Sequence, residues 1–332
     1  MEVETTTETE PKLLSNTVPE EICSLILSFL DTPSFISISF VDQQHQNMIR
    51  KISSIKPTQT RKRRLVDLAT EKGYLGLVQW IHIDCGLYNH ACQLAASNGH
   101  LDVLIWLVNN NYYLDSDICC YAAKGGHLEV LKWLIDNGCK RNSETFYYAA
   151  WGGHLEILKL LRAHDCAWNS LTCSHAARGG HLEVLKWARE NGCEWNICTC
   201  YCAAREGHLE IMKWARENGC DWNINICSYA AFGGHLEVLK WARENGCLWN
   251  HDICLNAARG GHLEVLKWAR ENDCQWNSDT CSNAASGGHL EILKWARENG
   301  CEWNSTTCLN AAEGGHLEVL KWARENGCPW YS

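Results

Sequence analysis

Histidine and cysteine recur along this chain at spacings that invite chemistry. His100, His127, His154, His181, His208, His235, His262, His289 and His316 follow one another at a constant step of twenty-seven positions. Two cysteine series recur with them, seven positions apart, as in Cys166 with Cys173 and Cys301 with Cys308. Thiolates and imidazoles are the usual zinc ligands, but a zinc site needs four convergent groups, commonly in close Cys-x-x-Cys pairs. These pairs are wide, and each cysteine stands where alanine or another small apolar residue would serve packing. No histidine has a carboxylate or cysteine recurring at ligand or triad spacing, and no nucleophile–base set or phosphate loop appears. Each lies between Gly and Leu at the expected start of a helix, where an imidazole bonds to neighbouring backbone. Both series therefore read as structural, with no metal, no cofactor and no covalent chemistry.

The elements that position them follow from the same interval, since self-similarity at a fixed period decides architecture first. Tyr74 opens a degenerate unit one residue shorter, so about ten units run from residue 65 to residue 332. One unit reads "HLEVLKWARENGCEWNICTCYCAAREG", residues 181–207. Leu182, Val184, Leu185 and Ala188 share one face of a helical wheel with Trp187 at its edge, while Glu183, Lys186 and Glu190 lie opposite. The helix should stop at Gly192, where the other units carry Asn111, Gly138, Asp165, Gly219, Gly246, Asp273, Gly300 and Gly327, the residues that best tolerate a left-handed backbone. A second, shorter helix is expected over "TCYCAAREG", with Cys200, Ala203 and Ala204 on one face for close approach of a neighbour. No such pair buries its apolar surface alone. Stacked at about 8–10 Å per layer, the pairs predict an all-α solenoid, a curved rod roughly 80–100 Å long.

"AAREGHLEIMKWARENGCDWN" resembles the ankyrin repeat, whose pattern is Ala-Ala-x-x-Gly-His-Leu-Glu-Val-Val-Lys-Leu-Leu followed by Gly-Ala-Asp-Val-Asn. Ankyrin units are typically about 33 residues long, and the present unit is shorter by six. The missing stretch falls after the Asn (Asn223), where ankyrins carry a β-hairpin finger. The Thr-Pro-Leu-His opening is also absent, with Asn225, Ile226, Cys227 and Ser228 near its place, so little or no β structure is expected.

Two tryptophan series follow the period. Trp187, Trp214, Trp241, Trp268, Trp295 and Trp322 are expected to pack between layers; Trp168, Trp195, Trp222, Trp249, Trp276, Trp303 and Trp330 lie in the connecting turns, covering the edge of the stack. Function is sought where the units differ. The second residue after the Ala-Ala-helix cysteine and the one just before Gly-Gly vary, and by spacing they point away from Cys and Ala-Ala. Along the chain they read Tyr121, Lys124, Tyr148, Trp151, His175, Arg178, Arg205, Tyr229, Phe232, Asn256 and Arg259, giving way to Asn283, Ser286, Asn310 and Glu313. The ankyrin resemblance implies that this stripe lines the binding groove. Tyr, Trp and Arg are enriched at binding hot spots. Four cations without a matching acid then suggest an acidic or phosphorylated protein segment as partner. The plain alternatives are an exposed helix face that drifts without constraint, or aromatics that stack on single-stranded nucleic acid.

Ahead of the repeats stands "TVPEEICSLILSFLDTPSFISISFVDQQHQNMIRK". Pro19 opens a helix, Glu20 and Glu21 suit its first turn, and Ile22, Leu25, Ile26 and Phe29 have helical spacing. The segment resembles the F-box, a helical module that binds the Skp1 adaptor of cullin ubiquitin ligases. Its opening Leu-Pro-x-Glu-Ile and Ile-x-x-x-Leu-Asp match Val18, Pro19, Glu21, Ile22, Ile26, Leu30 and Asp31, and its later Leu-x-x-Val matches Ile38 and Val41. The Cys and Trp usual after that Val are Asp42 and His45 here. A plain helical cap on the repeats is the other reading. The organisation expected is an acidic tail over 1–12, the F-box-like module over 13–50, a basic linker over 51–64 and the repeats over 65–332. "RKRR" at 61–64 reads as linker leading into the first repeat helix, or as a nuclear signal.

Composition bounds the rest. The chain is 46% hydrophobic and 21% charged with net charge −9, a folded soluble composition that argues against nucleic acid or an anionic membrane as main partner. The acidic start is no secretory signal and "ICSLILSFL" is too short to span a bilayer, so an intracellular protein, cytoplasmic or nuclear, is expected. An odd 21 cysteines without a signal peptide oppose a disulfide scaffold. The two resemblances together imply a substrate receptor of a ubiquitin ligase, a pairing found in eukaryotes and large DNA viruses; the alternative is a scaffold with no ligase link. The last unit ends at "NGCPWYS" without a polar closing helix, so self-association is expected there.

Overall fold

The structure, a computed structural model, describes residues 59–85, 90–248 and 250–330. The F-box-like segment, with Pro19, Ile22, Ile26, Leu30, Ile38 and Val41, lies outside the described residues. The described residues form twenty α-helices and no strand, so the missing hairpin finger is replaced by a short turn. The described residues divide into two compact units, one up to residue 115 and one from residue 116 onward.

The first unit holds two helix pairs: α1 (Gln59–Glu71) with α2 (Leu75–Cys85), and α3 (Ala91–Asn98) with α4 (Leu101–Asn109). Arg61 to Arg64 lie within α1. The second unit holds eight pairs. Its first members, here called Ala-Ala helices, are α5 (Ile118–Gly125), α7 (Ser143–Gly152), α9 (Ser170–Gly179), α11 (Ile197–Glu206), α13 (Asn225–Gly233), α15 (Asp252–Gly260), α17 (Ser278–Ser286) and α19 (Ser305–Glu313). The second members, the Leu-Glu helices, are α6 (Leu128–Asp136), α8 (Leu155–Ala163), α10 (Leu182–Glu190), α12 (Leu209–Glu217), α14 (Leu236–Glu244), α16 (Leu263–Glu271), α18 (Leu290–Glu298) and α20 (Leu317–Glu325).

The expectation of a shorter Ala-Ala helix holds for α3 and α5, eight residues each against nine in α4 and α6, but not for the later layers. In the unit read above, α11 has ten residues and α10 nine. The reason is its cap. The recurrent turn asparagine, to which the period alone assigns no role, starts this helix early by accepting an amide hydrogen. Asn196 Oδ1 accepts from Cys198 N at 3.0 Å, and Asn169, Asn277 and Asn304 do the same from Leu171, Asp279 and Thr306. Such a cap stabilises a helix by about 1 kcal/mol.

Every expected stop of a Leu-Glu helix has a positive φ, from Asp165 at 52° to Gly327 at 85°. Cys200, Ala203 and Ala204 are buried, as are Val184, Leu185 and Ala188, while Leu182 is half-buried. Successive Ala-Ala helices pack against one another most closely, because alanine lets their backbones approach. The Leu-Glu helices stand further apart, and tryptophan fills the gap. Trp195 in one turn meets Trp214 of the next layer edge-on with centroids 5.6 Å apart, and Arg189 covers its other face at 4.3 Å. The same clasp joins Arg216, Trp222 and Trp241, and again Arg297, Trp303 and Trp322. Glu–Lys pairs three apart, such as Glu183 with Lys186 at 2.8 Å, lie exposed on the opposite face. They favour solubility more than stability.

Histidine supplies the link between layers. His181 caps α10 through its backbone position, but its ring reaches back to the preceding layer and not to neighbouring backbone as expected. Nε2 lies 3.0 Å from the carbonyl oxygen of Trp151. A carbonyl only accepts, so Nε2 carries the proton. His154, His208, His262, His289 and His316 make the same bond to Lys124, Arg178, Phe232, Arg259 and Ser286. Gly-Gly precedes all of these histidines except His208, which follows Glu206-Gly207, and the reason is steric. Gly180, at φ 81°, closes α9, and a methyl group there would stand 2.7 Å from Cε1 of His208.

The cysteines pair differently from their sequence spacing. The thiols that meet are twenty positions apart within one layer, Cys173 with Cys193 and Cys200 with Cys220, rather than seven apart. Cysteines seven apart fall in a turn and in the following layer's helix. The bond to Cys193 and burial both raise the Cys173 thiol far above its usual range, the bond more. The turn cysteines from Cys166 onward also donate to the carbonyl of the preceding turn's asparagine, as Cys193 does to Asn169 at 3.3 Å and Cys301 to Asn277 at 3.3 Å. The nineteen cysteines whose side chains are described are all free.

Candidate functional site

Every member of the variable stripe sits on an Ala-Ala helix, on the side turned away from the buried Cys and Ala-Ala. Because one position recurs once per layer, side chains at the same position become neighbours in adjacent layers. Lys124 Nζ lies 4.7 Å from the centroid of Trp151, and the guanidinium of Arg178 lies 5.5 Å from the same ring. One indole of α7 is thus flanked by a cation from the layer on either side. Arg205 covers Phe232 at 5.2 Å in the same way. Such contacts contribute about 0.5–1 kcal/mol at exposed sites and, more to the point here, hold long cationic side chains in one place.

A second row runs beside the first. Tyr148 lies 6.4 Å from Trp151. His175 stacks on Tyr147 at 4.5 Å, and its Nδ1 bonds the Leu171 carbonyl at 2.9 Å. Burial lowers the His175 pKa, partly countered by that bond. Tyr229 meets Tyr201 at 4.9 Å. Tyr147 and Tyr201 were not expected in the site. They occupy the residue between the cysteine position and the stripe, and the signal for them was an aromatic at a place held by serine in units such as Ser174 and Ser228. Tyr121 and Tyr229 remain exposed.

Five of the stripe residues, Arg205, Tyr229, Phe232, Asn256 and Arg259, line one hollow of about 390 Å³ together with Asn225, Ser228 and Asp252. Two cations two layers apart face this hollow, with a phenyl ring between them. The expectation of four cations without a matching acid does not hold. Arg178 Nε lies 3.5 Å from Glu206 Oε1, across one layer, and Asp252 stands in the hollow's wall. Glu206 is remote in sequence from Arg178, so only the stacking offset brings the two together. The stripe therefore offers Lys124, Arg205 and Arg259 as cations, held on or beside aromatic faces.

Among the described residues, no three His, Cys, Asp or Glu side chains gather where they could hold a metal ion. No described helix is long and apolar enough to cross a membrane.

Comparison with known proteins agrees with the geometry. The family model described as "Ankyrin repeats (3 copies)" matches residues 66–145, 93–172 and 119–199, and "Ankyrin repeats (many copies)" matches residues 200–243. The search of curated proteins returned no match. Among solved structures, the crystal structure of the human ASB11 ankyrin repeat domain is similar, with 17% identity over 47% of this chain and 84% of that one, at a TM-score of 0.39. Ankyrin matches run from residue 66 to residue 243, over half of the 332-residue chain, across layers of paired helices capped by Gly-His-Leu; the chain belongs to the ankyrin-repeat family.

Proposed function

We propose that the chain is the substrate receptor of a Skp1–cullin–F-box type ubiquitin ligase. Its stripe from Tyr121 to Arg259 holds an acidic or phosphorylated segment of a target protein, while residues 13–50 dock on a Skp1-like adaptor. The ankyrin-repeat family supplies protein-interaction scaffolds, typically without enzymatic activity of their own, and the receptor reading is built on that ground. One observation carries the stripe's role: Trp151 between Lys124 and Arg178, continued by Arg205 on Phe232, makes a fixed row of aromatic faces and cations on otherwise alanine-rich helices. Ordered cations of this kind suit carboxylate or phosphate recognition, because little side-chain entropy remains to be lost on binding. The adaptor's role rests on Pro19, Ile22, Ile26, Leu30, Ile38 and Val41, which match the F-box pattern.

Two measurements with the full chain test the two halves separately. Purified Skp1-like adaptor should be retained by the chain and lost on Ile22→Asp with Leu30→Asp; retention by neither leaves a scaffold without a ligase. Cross-linked target should be lost on Trp151→Ala with Arg205→Glu, at unchanged adaptor binding. A target captured equally by that variant removes the stripe from the reading.

A further inference from the structure

The clasp of Arg, turn Trp and next-layer Trp is absent at the turn after α6. Where other layers have Trp195 or Trp222, this turn has Arg141; where the next helix has Trp214 or Trp241, α8 has Leu160; and where the covering arginine would be Arg189, α6 has Ile135. All three members change together. The residue before the missing tryptophan is the cation Lys140, where the other turns have acids (Glu194, Asp221, Glu302) or uncharged residues (Ala167, Leu248, Gln275, Pro329). One layer on, the asparagine that ends most Leu-Glu helices, Asn191 or Asn218, is His164.

In place of stacked indoles the structure has a hollow of about 480 Å³, lined by Gly138, Cys139, Lys140, Arg141, Asn142 and Ser143 on one side and His164, Asp165, Cys166 and Ala167 on the other. Arg141 is half-buried in this wall, while Lys140 and His164 are exposed at it. Among the described residues, neither Lys140, Arg141 nor His164 makes a side-chain hydrogen bond or ion pair, and the one acid in the lining, Asp165, pairs with none of them. In the other layers an arginine near this edge is spent on a tryptophan face and a backbone carbonyl, as Arg189 is. Here the guanidinium has neither.

We propose that this hollow is a binding site for a phosphate group, with Arg141 as the bidentate anchor and Lys140 and His164 as flanking donors. A guanidinium fork matches two oxygens of a tetrahedral anion, and an ammonium adds a point charge beside it. The hollow is too open to exclude water, so its affinity comes from the three donors acting together. It lies on the turn edge, apart from the stripe on the Ala-Ala helices, and does not depend on the stripe's role.

Phosphorus-31 NMR of the full chain with inorganic phosphate and, separately, with a short phosphoserine peptide tests the assignment. Both probes should broaden on addition of the protein. Arg141→Trp, which installs the residue found in other turns, and Lys140→Glu, an exposed change, should each weaken binding about tenfold or more, while thermal melting confirms that both remain folded. Binding of both probes assigns the site to a phosphorylated side chain; binding of inorganic phosphate alone assigns it to a free anion. Failure of both probes, or unchanged binding in Lys140→Glu and Arg141→Trp, overturns the proposal.

Discussion

Nε2 of His181 donates to the backbone carbonyl of Trp151, 3.0 Å away and thirty positions earlier in the chain. The bond joins two adjacent layers, and its acceptor is the residue whose side chain stands at the centre of the cation–aromatic row. Layer stacking and the geometry of the variable stripe are therefore fastened by the same atom pair. The histidine is repeated because the fastening is needed at each joint.

The burial of the ring that makes this bond predicts a pH dependence. Burial holds the His181 pKa below the ordinary value of about 6.5, outweighing the upward pull of the Trp151 carbonyl. His262 is shifted in the same direction by burial, against the pull of the Phe232 carbonyl. With the folded pKa depressed, the unfolded chain takes up the proton more readily. The stabilisation is therefore complete above about pH 6.5 and is lost as pH falls through the folded value. Urea midpoints should fall between pH 7.5 and pH 5.5. His181→Asn should be less stable at pH 7.5 and show a shallower fall than wild type; an identical slope removes His181 from the account.

Glycines of one conformation should differ in cost. Gly180 and Gly192 have φ of 81° and 82°, but a methyl group at Gly180 meets the His208 ring whereas Gly192 opens onto empty space. Gly180→Ala is expected to destabilise by about 2–3 kcal/mol, from left-handed strain and displacement of the ring. Gly192→Asn, which copies Asn111 at φ 64°, should cost under about 1 kcal/mol. Chemical denaturation of the two variants side by side measures the difference.

Trp195→Ala should destabilise the stack by on the order of 2 kcal/mol, because it removes a half-buried indole with its Trp214 edge contact and its Arg189 cover. Local amide exchange should rise in α10 and α12 before it rises in the helices of distant layers, since each layer touches only its neighbours. Uniform change across all layers would contradict nearest-neighbour coupling.

Thiol reactivity should follow burial and not number. Among the nineteen free cysteines with described side chains, Cys198 is exposed and Cys139 and Cys202 are half-buried; the rest are buried. Native alkylation followed by residue-level mass spectrometry should mark Cys198 first and leave Cys173, Cys200 and Cys227 unmodified until the chain is unfolded. Early modification of Cys173 would show that its layer opens.

The period alone determined much of this protein. Its constant recurrence specified helix pairs, the Gly, Asn and Asp stops at positions such as Gly192 and Asp273, and the buried small face of Cys200, Ala203 and Ala204, because helix length, left-handed stops and face periodicity are local properties of backbone and side-chain size. The variable stripe was legible for the same reason, since residues of one repeat position must share a side of the stack. What the tertiary structure alone decided is which side chains meet across layers. Cys173 lies against Cys193, Arg178 against Glu206, Trp195 against Trp214, and His181 reaches the carbonyl of Trp151. None of these four separations in sequence equals the repeat. They follow from how far each layer is offset from the next, a quantity set by the close fit of alanine faces and the bulk of the indoles between the outer helices.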